Sequence, residues 1–189
     1  MSTAAAQVPD DVVRALERSD VVYDADSVDR AVDQLSTRLT LALAESNPIV
    51  LCVMNGGLSL TGDLLTRFSF PLQLDYLHAT RYANTTTGGE LSFRVKPQSA
   101  LEDRVVLVVD DILDRGTTLA AVVDWLTEAG ARQICTTVLV DKRVDQPRGI
   151  SVDYAAIECP DRYLFGRGMD YRGYWRNLGS IHALPDDFS

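Results

Sequence analysis

Asp110, Asp111 and Asp114 follow one another closely, just after the apolar run Val105-Val106-Leu107-Val108-Val109 and around Arg115-Gly116-Thr117-Thr118. A buried strand that ends in acids, then a short loop with a glycine and two hydroxyls, then the start of a helix, is suited to an anion. The first N–H groups of a helix have no partner within it, and they carry the positive end of its dipole. Gly116 allows close backbone approach, and Thr117 and Thr118 add hydroxyl donors. A phosphate fits this loop. Asp110 and Asp111 would repel that phosphate unless they face ribose hydroxyls or a divalent cation. Together these residues point to a phosphorylated sugar. A capped helix with surface acids is the plainer alternative, since acids near a helix start are common. Two acids directly behind a five-residue apolar strand are less usual. Neither GxxxxGK[ST] nor GxGxxG occurs, so a Walker loop and a dinucleotide fold are both unsupported.

The surrounding elements must hold this loop in place. Residues 49–53 and 105–109 are continuous apolar runs rich in β-branched side chains, and 134–140 and 154–157 read as further strands. Val28, Val32, Leu35, Leu39, Ala42 and Leu43 recur at helical spacing over 27–45, and Asn47-Pro48 ends that helix. Residues 58–68 and 117–129 read as helices, the second with Leu119, Val122, Val123 and Leu126 inward and Gly130 just past its end. Leu72, Leu74 and Tyr76 alternate, as do Leu91, Phe93 and Val95; the polar stretch 81–90 between them reads as a mobile loop. In the lead-in, Val12, Val13 and Leu16 suggest one side of a short helix opened by Pro9, Asp10 and Asp11. Apolar runs alternating with amphipathic helices predict an α/β fold: a central, mostly parallel sheet flanked by helices. A small appended piece completes the architecture.

The chain has 189 residues, 46% of them hydrophobic, and a net charge of −9. These values suit one globular domain and exclude a disordered tail. The acidity argues against a general nucleic-acid or anionic-membrane binder, whose partners demand broad basic surfaces. No apolar run approaches the roughly 20 residues that cross a bilayer, and the start carries no secretory pattern. A cytoplasmic location is expected. Cys52, Cys135 and Cys159 lie in apolar stretches without CxxC spacing and read as buried reduced thiols. His78 and His182 do not stand at ligand spacing from them, so a zinc site is not expected.

The segment from Val105 to Leu119 resembles the phosphoribosyl pyrophosphate (PRPP) signature of the type I phosphoribosyltransferases in length, order and strand–loop–helix context. Later blocks narrow the likeness: Leu139-Val140-Asp141-Lys142-Arg143, then Pro160-Asp161-Arg162-Tyr163-Leu164-Phe165-Gly166, then Met169-Asp170-Tyr171 and Tyr174-Trp175-Arg176-Asn177-Leu178. These resemble the purine-binding end of the hypoxanthine-guanine phosphoribosyltransferases, and the likeness spans residues 20–185. It implies a type I fold with a small hood built by the C-terminal segment, about 158–189, with the N-terminal segment as a further candidate contributor. Residues 21–189 would form one domain and 1–20 an N-terminal extension without a counterpart.

The resemblance implies transfer of a ribosyl 5-phosphate from PRPP to a 6-oxopurine, with Mg²⁺ as cofactor. Asp110 and Asp111 would hold the ribose hydroxyls and could also meet the metal. The backbone of Arg115, Gly116, Thr117 and Thr118 would hold the 5-phosphate. Asp114 would serve as general base beside the purine imidazole ring. Lys142 would donate to the 6-oxo group, Tyr163 would stack on the base, and the backbone near Leu164 would meet the base edge. Asp170 would bind Mg²⁺ and Arg176 pyrophosphate. Met54-Asn55-Gly56-Gly57 matches the pyrophosphate loop, with Asn55 and Gly56 as its contacts. Arg81 and Tyr82 open the family's flexible loop, which closes over the reactants. Arg115, Thr117 and Asn55 depart from the family's commoner threonine, lysine, and lysine or arginine.

Two other readings stay open at this level. One is a transferase that prefers xanthine, because the purine 2-position is read largely by backbone. The other is a nucleotide-sensing regulator on the same fold, against which stand the charge of −9 and the presence of Asp114. A homo-oligomer is the expected assembly, with no nucleic acid and no membrane as partner.

Overall fold

The computed structural model describes residues 7–81 and 91–188. Six strands form the main sheet: β2 (Ile49–Val53), β3 (Gln73–Arg81), β4 (Leu91–Val95), β5 (Val105–Leu113), β6 (Gln133–Arg143) and β7 (Tyr154–Pro160). β1 (Asp20–Tyr23) belongs elsewhere, as described below. The order is β4-β3-β2-β5-β6-β7, and all neighbours are parallel except β3 and β4. This is the expected mostly parallel α/β sheet.

Both faces of the sheet are covered, and the period of two along β5 shows how. Val105, Leu107 and Val109 pack with α2 (Ala25–Leu43) and α3 (Leu58–Leu65). Val106 and Val108 pack on the opposite side with α4 (Thr117–Glu128). In α2, Val28, Val32, Leu35, Leu39 and Leu43 are buried as their spacing predicts, but Ala42 faces solvent. Its position is flanked by Leu41, itself 85% exposed, so the apolar stripe narrows at the helix end. Asp24 caps the helix, its carboxylate accepting from the Ser27 amide at 2.7 Å.

The alternating stretch forms β3 as expected, with Leu74 and Tyr76 outward, 54% and 48% exposed, and Leu77 buried. One expectation about a strand changes. β5 runs beyond Val109 to Leu113, because its ladder with β6 continues to the Leu113–Asp141 pair. Asp110 and Asp111 therefore stand within the strand rather than after it.

A three-stranded antiparallel sheet caps the cleft as a hood: β1, β9 (Ile181–Ala183) and β8 (Leu164–Phe165), in the order β1-β9-β8. Both ends of the chain build it. α1 (Asp10–Arg18) docks on it through Ala15, which packs with Phe165 and Leu184. Its buried residues are Val12 and Ala15, whereas Val13 faces outward. The Trp175 indole N–H donates to the Val12 carbonyl at 2.7 Å. The three cysteines are buried and unpaired with one another. Among the described residues, no helix is long and apolar enough to cross a membrane.

Candidate active site

Parallel strands deliver their C-terminal ends to one edge of the sheet, and ligands of open α/β sheets bind there. A cavity of about 440 Å³ lies at this edge, lined by Met54, Asn55, Gly56, the whole stretch 110–119, Asp170 and Arg176. Asp110, Asp111, Asp114, Arg115, Gly116, Thr117 and Thr118 are thus brought together with Asn55, Gly56, Asp170 and Arg176.

The floor is built by close contacts that a larger residue would block. Just past β2, the Met54 amide donates to the Leu77 carbonyl at 2.8 Å, and the Met54–Asn55 peptide is cis. A Cβ on Gly56 would lie 1.9 Å from an Asp111 carboxylate oxygen, so only glycine lets this loop touch the acid. Gly116 caps α4 in the left-handed region, with φ 73°, which favours glycine. It leaves the first α4 amides facing the cavity as an anion site.

Asp110 and Asp111 share a low-dielectric floor. Burial, reinforced by the neighbouring Asp111 charge, holds the Asp110 carboxyl well above the usual carboxylate range. Burial also raises Asp111, against the opposing pull of its hydrogen bond with Asp110 and of the Arg176 guanidinium. Two bare carboxylates are disfavoured here, so hydroxyl donors or a cation would relieve the floor.

Arg176 spans the opposite wall. It donates to the Gly168 carbonyl at 2.6 Å, reaches an Asp170 oxygen at 2.5 Å and stands 3.8 Å from Asp111. The other Asp170 oxygen accepts from the Gly173 amide at 2.6 Å. This cleft wall thus offers one carboxylate, Asp170, whose two oxygens are engaged by Arg176 and the Gly173 amide; a hard oxygen ligand of this kind suits Mg²⁺. Among the described residues, no group of three or more His, Cys, Asp or Glu side chains could hold a metal alone. A hard cation would therefore share its shell with substrate oxygens, which is how Mg²⁺ is usually bound.

A second cavity, about 540 Å³, adjoins the first and shares Asp114, Arg115 and Thr117 with it. Lys142 lines it, within β6 rather than after a strand. Its side chain is only 11% exposed and lies 2.8 Å from Asp161 and 3.4 Å from Asp114. Tyr163 keeps half its surface open, and its hydroxyl donates to the Asp170 carbonyl at 3.0 Å. Partial burial, with the Asp170 charge nearby, raises the phenol above its ordinary value. The Leu164 side chain is in the core, leaving only its backbone for a ligand. Arg81 closes β3, and Tyr82 with the following residues to 90 lies outside the described residues.

Residue patterns did not reveal several supports. Arg148 donates to the Leu113 carbonyl and to Asp141, which ties the segment after β6 to the end of β5, next to Asp114. Arg167 binds Asp29 of α2 and Asp63 of α3, pinning the hood to the core. Gly168 lies so close to Gly56 that a Cβ would sit 2.4 Å from its carbonyl oxygen. Asp161 lies in the Pro160–Gly166 segment, and only the strand order reveals its partner, Lys142.

The chain matches the phosphoribosyl transferase domain over residues 19–172. It is 31% identical over 174 residues to the hypoxanthine-guanine-xanthine phosphoribosyltransferase of Tritrichomonas foetus, covering 90% of this chain and 93% of that protein. It is 28% identical over 165 residues to the hypoxanthine-guanine phosphoribosyltransferase of Bacillus subtilis, covering 87% and 92%. A crystal structure of a hypoxanthine phosphoribosyltransferase from Staphylococcus aureus superposes with a TM-score of 0.84 at 25% identity, over 92% of this chain and 95% of that one.

Proposed function

The chain belongs to the phosphoribosyltransferase family, and from that premise we propose that it is a purine salvage enzyme moving the 5-phosphoribosyl group of PRPP to hypoxanthine or guanine. One observation supports this best: two cavities, one ringed by acids and helix amides, the other lined by Lys142, Asp161 and residues 144–149, share Asp114, Arg115 and Thr117. A phosphorylated sugar suits the first and a flat oxo-heterocycle the second, so the bond between them would form beside Asp114.

On this reading, Asp110 and Asp111 accept from the ribose hydroxyls, and the amides of residues 115–118 hold the 5-phosphate. Asn55 and Gly56 line the pyrophosphate side. Arg176 turns its guanidinium toward the leaving pyrophosphate. The bond from the sugar to pyrophosphate breaks and one from the sugar to a purine ring nitrogen forms, while Asp114 takes the proton from the base. Positive charge that develops on the sugar lies near the acids, where a low dielectric strengthens their effect. Tyr163 stacks on the purine, the Leu164 backbone meets its edge and Lys142 donates to the 6-oxo oxygen. Arg81 and Tyr82 would begin the loop that excludes water. Asp170, with Asp110 and Asp111 close by, would hold Mg²⁺, which would neutralise pyrophosphate charge.

Residues 21–189 serve as the transferase domain, and residues 158–189 as the main part of the hood. α1, within the N-terminal extension, acts as a brace on it. A homo-oligomer is the proposed assembly, with the exposed apolar face of Leu58, Leu74, Tyr76 and Val95 as its candidate interface.

The test is turnover of hypoxanthine, guanine and xanthine by purified protein with PRPP and Mg²⁺. Formation of the 5-monophosphate from hypoxanthine or guanine is expected. No turnover of any of the three would remove the reading, and turnover of xanthine alone would move the specificity.

A further inference from the structure

Three parallel strand ends stand side by side at the base cavity. β6 lies between β5 and β7, with Leu113 opposite Asp141 and Lys142 opposite Cys159. This register sets Lys142 between Asp114, just past β5, and Asp161, just past β7. Two carboxylates therefore compete for one ammonium group that is only 11% exposed. The contact to Asp161, at 2.8 Å, falls in the range of a charge-assisted hydrogen bond, and the 3.4 Å contact to Asp114 falls outside it.

We propose that Asp161 is a positioning residue for base recognition: it draws the Lys142 ammonium off Asp114 and holds it where a purine 6-oxo oxygen can accept from it. The proposal rests on the transferase reading above. Asp114 can take a proton from the base only if an oxygen of its carboxylate stays open. A lysine seated fully on it would occupy that oxygen and lose its reach to the base. Among the ion pairs of the described residues, Asp114 and Asp161 are the two anions that meet Lys142. Without Asp161, Asp114 alone would hold the ammonium. Asp161 also shares its segment with Tyr163, so one stretch of chain sets both the lysine and the stacking ring. Its side chain is 58% exposed. Solvent screening limits the effect to about tenfold rather than the hundredfold of a buried partner, and the exposure lets the site accept substitution without loss of fold.

Steady-state kinetics of the full chain with PRPP and hypoxanthine test this. Asp161→Ala should lower kcat/KM for hypoxanthine about tenfold while the KM for PRPP stays within about twofold. Asp161→Asn, which keeps an acceptor oxygen, should fall between that variant and the unaltered protein. In a Lys142→Met background, Asp161→Ala should cost less than about twofold more, because its target is gone. An unchanged kcat/KM in Asp161→Ala, an equal rise in the PRPP KM, or the full tenfold loss in the Lys142→Met background would each overturn the assignment. Absence of turnover in the unaltered protein with every 6-oxopurine would instead overturn the transferase reading on which it rests.

Discussion

Where the sheet edge faces the cleft, Asp110, Asp111, Asp114 and the amides of residues 115–118 come from one unbroken stretch of chain. Where the hood faces it, Tyr163, Asp170 and Arg176 come from turns held down by ion pairs with distant helices and by close glycine contacts. The first half is set by strand pairing on both sides of β5 and by the start of α4. Those interactions belong to the core. The second half depends on a small three-stranded sheet whose order is β1-β9-β8, and on Arg167. On the proposed reading, the sugar would rest on a floor fixed by core strands and the base under a separately attached cover, and the contrast teaches that the two supports can differ in local stability.

The largest expected effect breaks the floor without touching the cover. Asp114→Asn should lower kcat by roughly 10²–10⁴-fold, as for other general acid–base groups. Its side chain is about half exposed, so the thermal midpoint should barely move. An unchanged kcat would take Asp114 out of the chemistry. A second substitution loosens the cover and spares the floor. Arg167→Gln removes the link to Asp29 and Asp63 and should destabilise by about 1–2 kcal/mol, since both acids keep partial access to water. Against a typical total of about 5–15 kcal/mol the protein stays folded. Hydrogen exchange should then rise first in β8, β9 and the turns near Asp170. Uniform exchange across the main sheet would mean that the two halves are one cooperative unit.

The smallest effect is a pH dependence confined to the hood. The Ser19 hydroxyl donates to the Leu16 carbonyl at 2.8 Å, so it accepts from His182 Nδ1–H, and the Ser180 hydroxyl pairs with Nε2 at 2.8 Å. His182 is stacked on Phe165, and burial lowers its pKa from 6.5, favouring the neutral ring. The unfolded chain binds this proton first as pH falls. The contribution is complete above about pH 6.5 and is lost as pH drops through the window below it. A fall in Tm of roughly 1–3 °C between pH 7 and pH 5, absent in His182→Gln, is the expected result. The same slope in both proteins would assign the pH dependence to other groups.

Several of these features were legible without coordinates. The acid pair, Asp114 and the glycine–threonine loop are local; the anion-binding character of the loop follows from the order strand, loop, helix, whereas the role proposed for Asp114 rests on the family resemblance. The inward faces of α2 and α4 follow from periodicity. Other features defeated local reading for identifiable reasons. Asp110 and Asp111 remain in β5 because β6 is long enough to pair with it as far as Leu113, and pairing length depends on the partner. Leu74 and Tyr76 alternate correctly for a strand, but alternation does not say which face is covered. The lead-in helix showed apolar spacing, yet its target, the hood around Phe165 and Leu184, lies at the other end of the chain.

The amino-acid order alone determined the α/β class, the sheet-edge anion loop and the identity of the acids beside it, because each rests on neighbours within a turn or a strand. Tertiary structure decided that Lys142 stands between two carboxylates, that Arg167 fastens the hood, and that both chain ends share one small sheet. Those arrangements depend on strand order and on contacts between residues far apart in sequence. No local pattern encodes them, because the packing of the whole core sets the distances between their side chains.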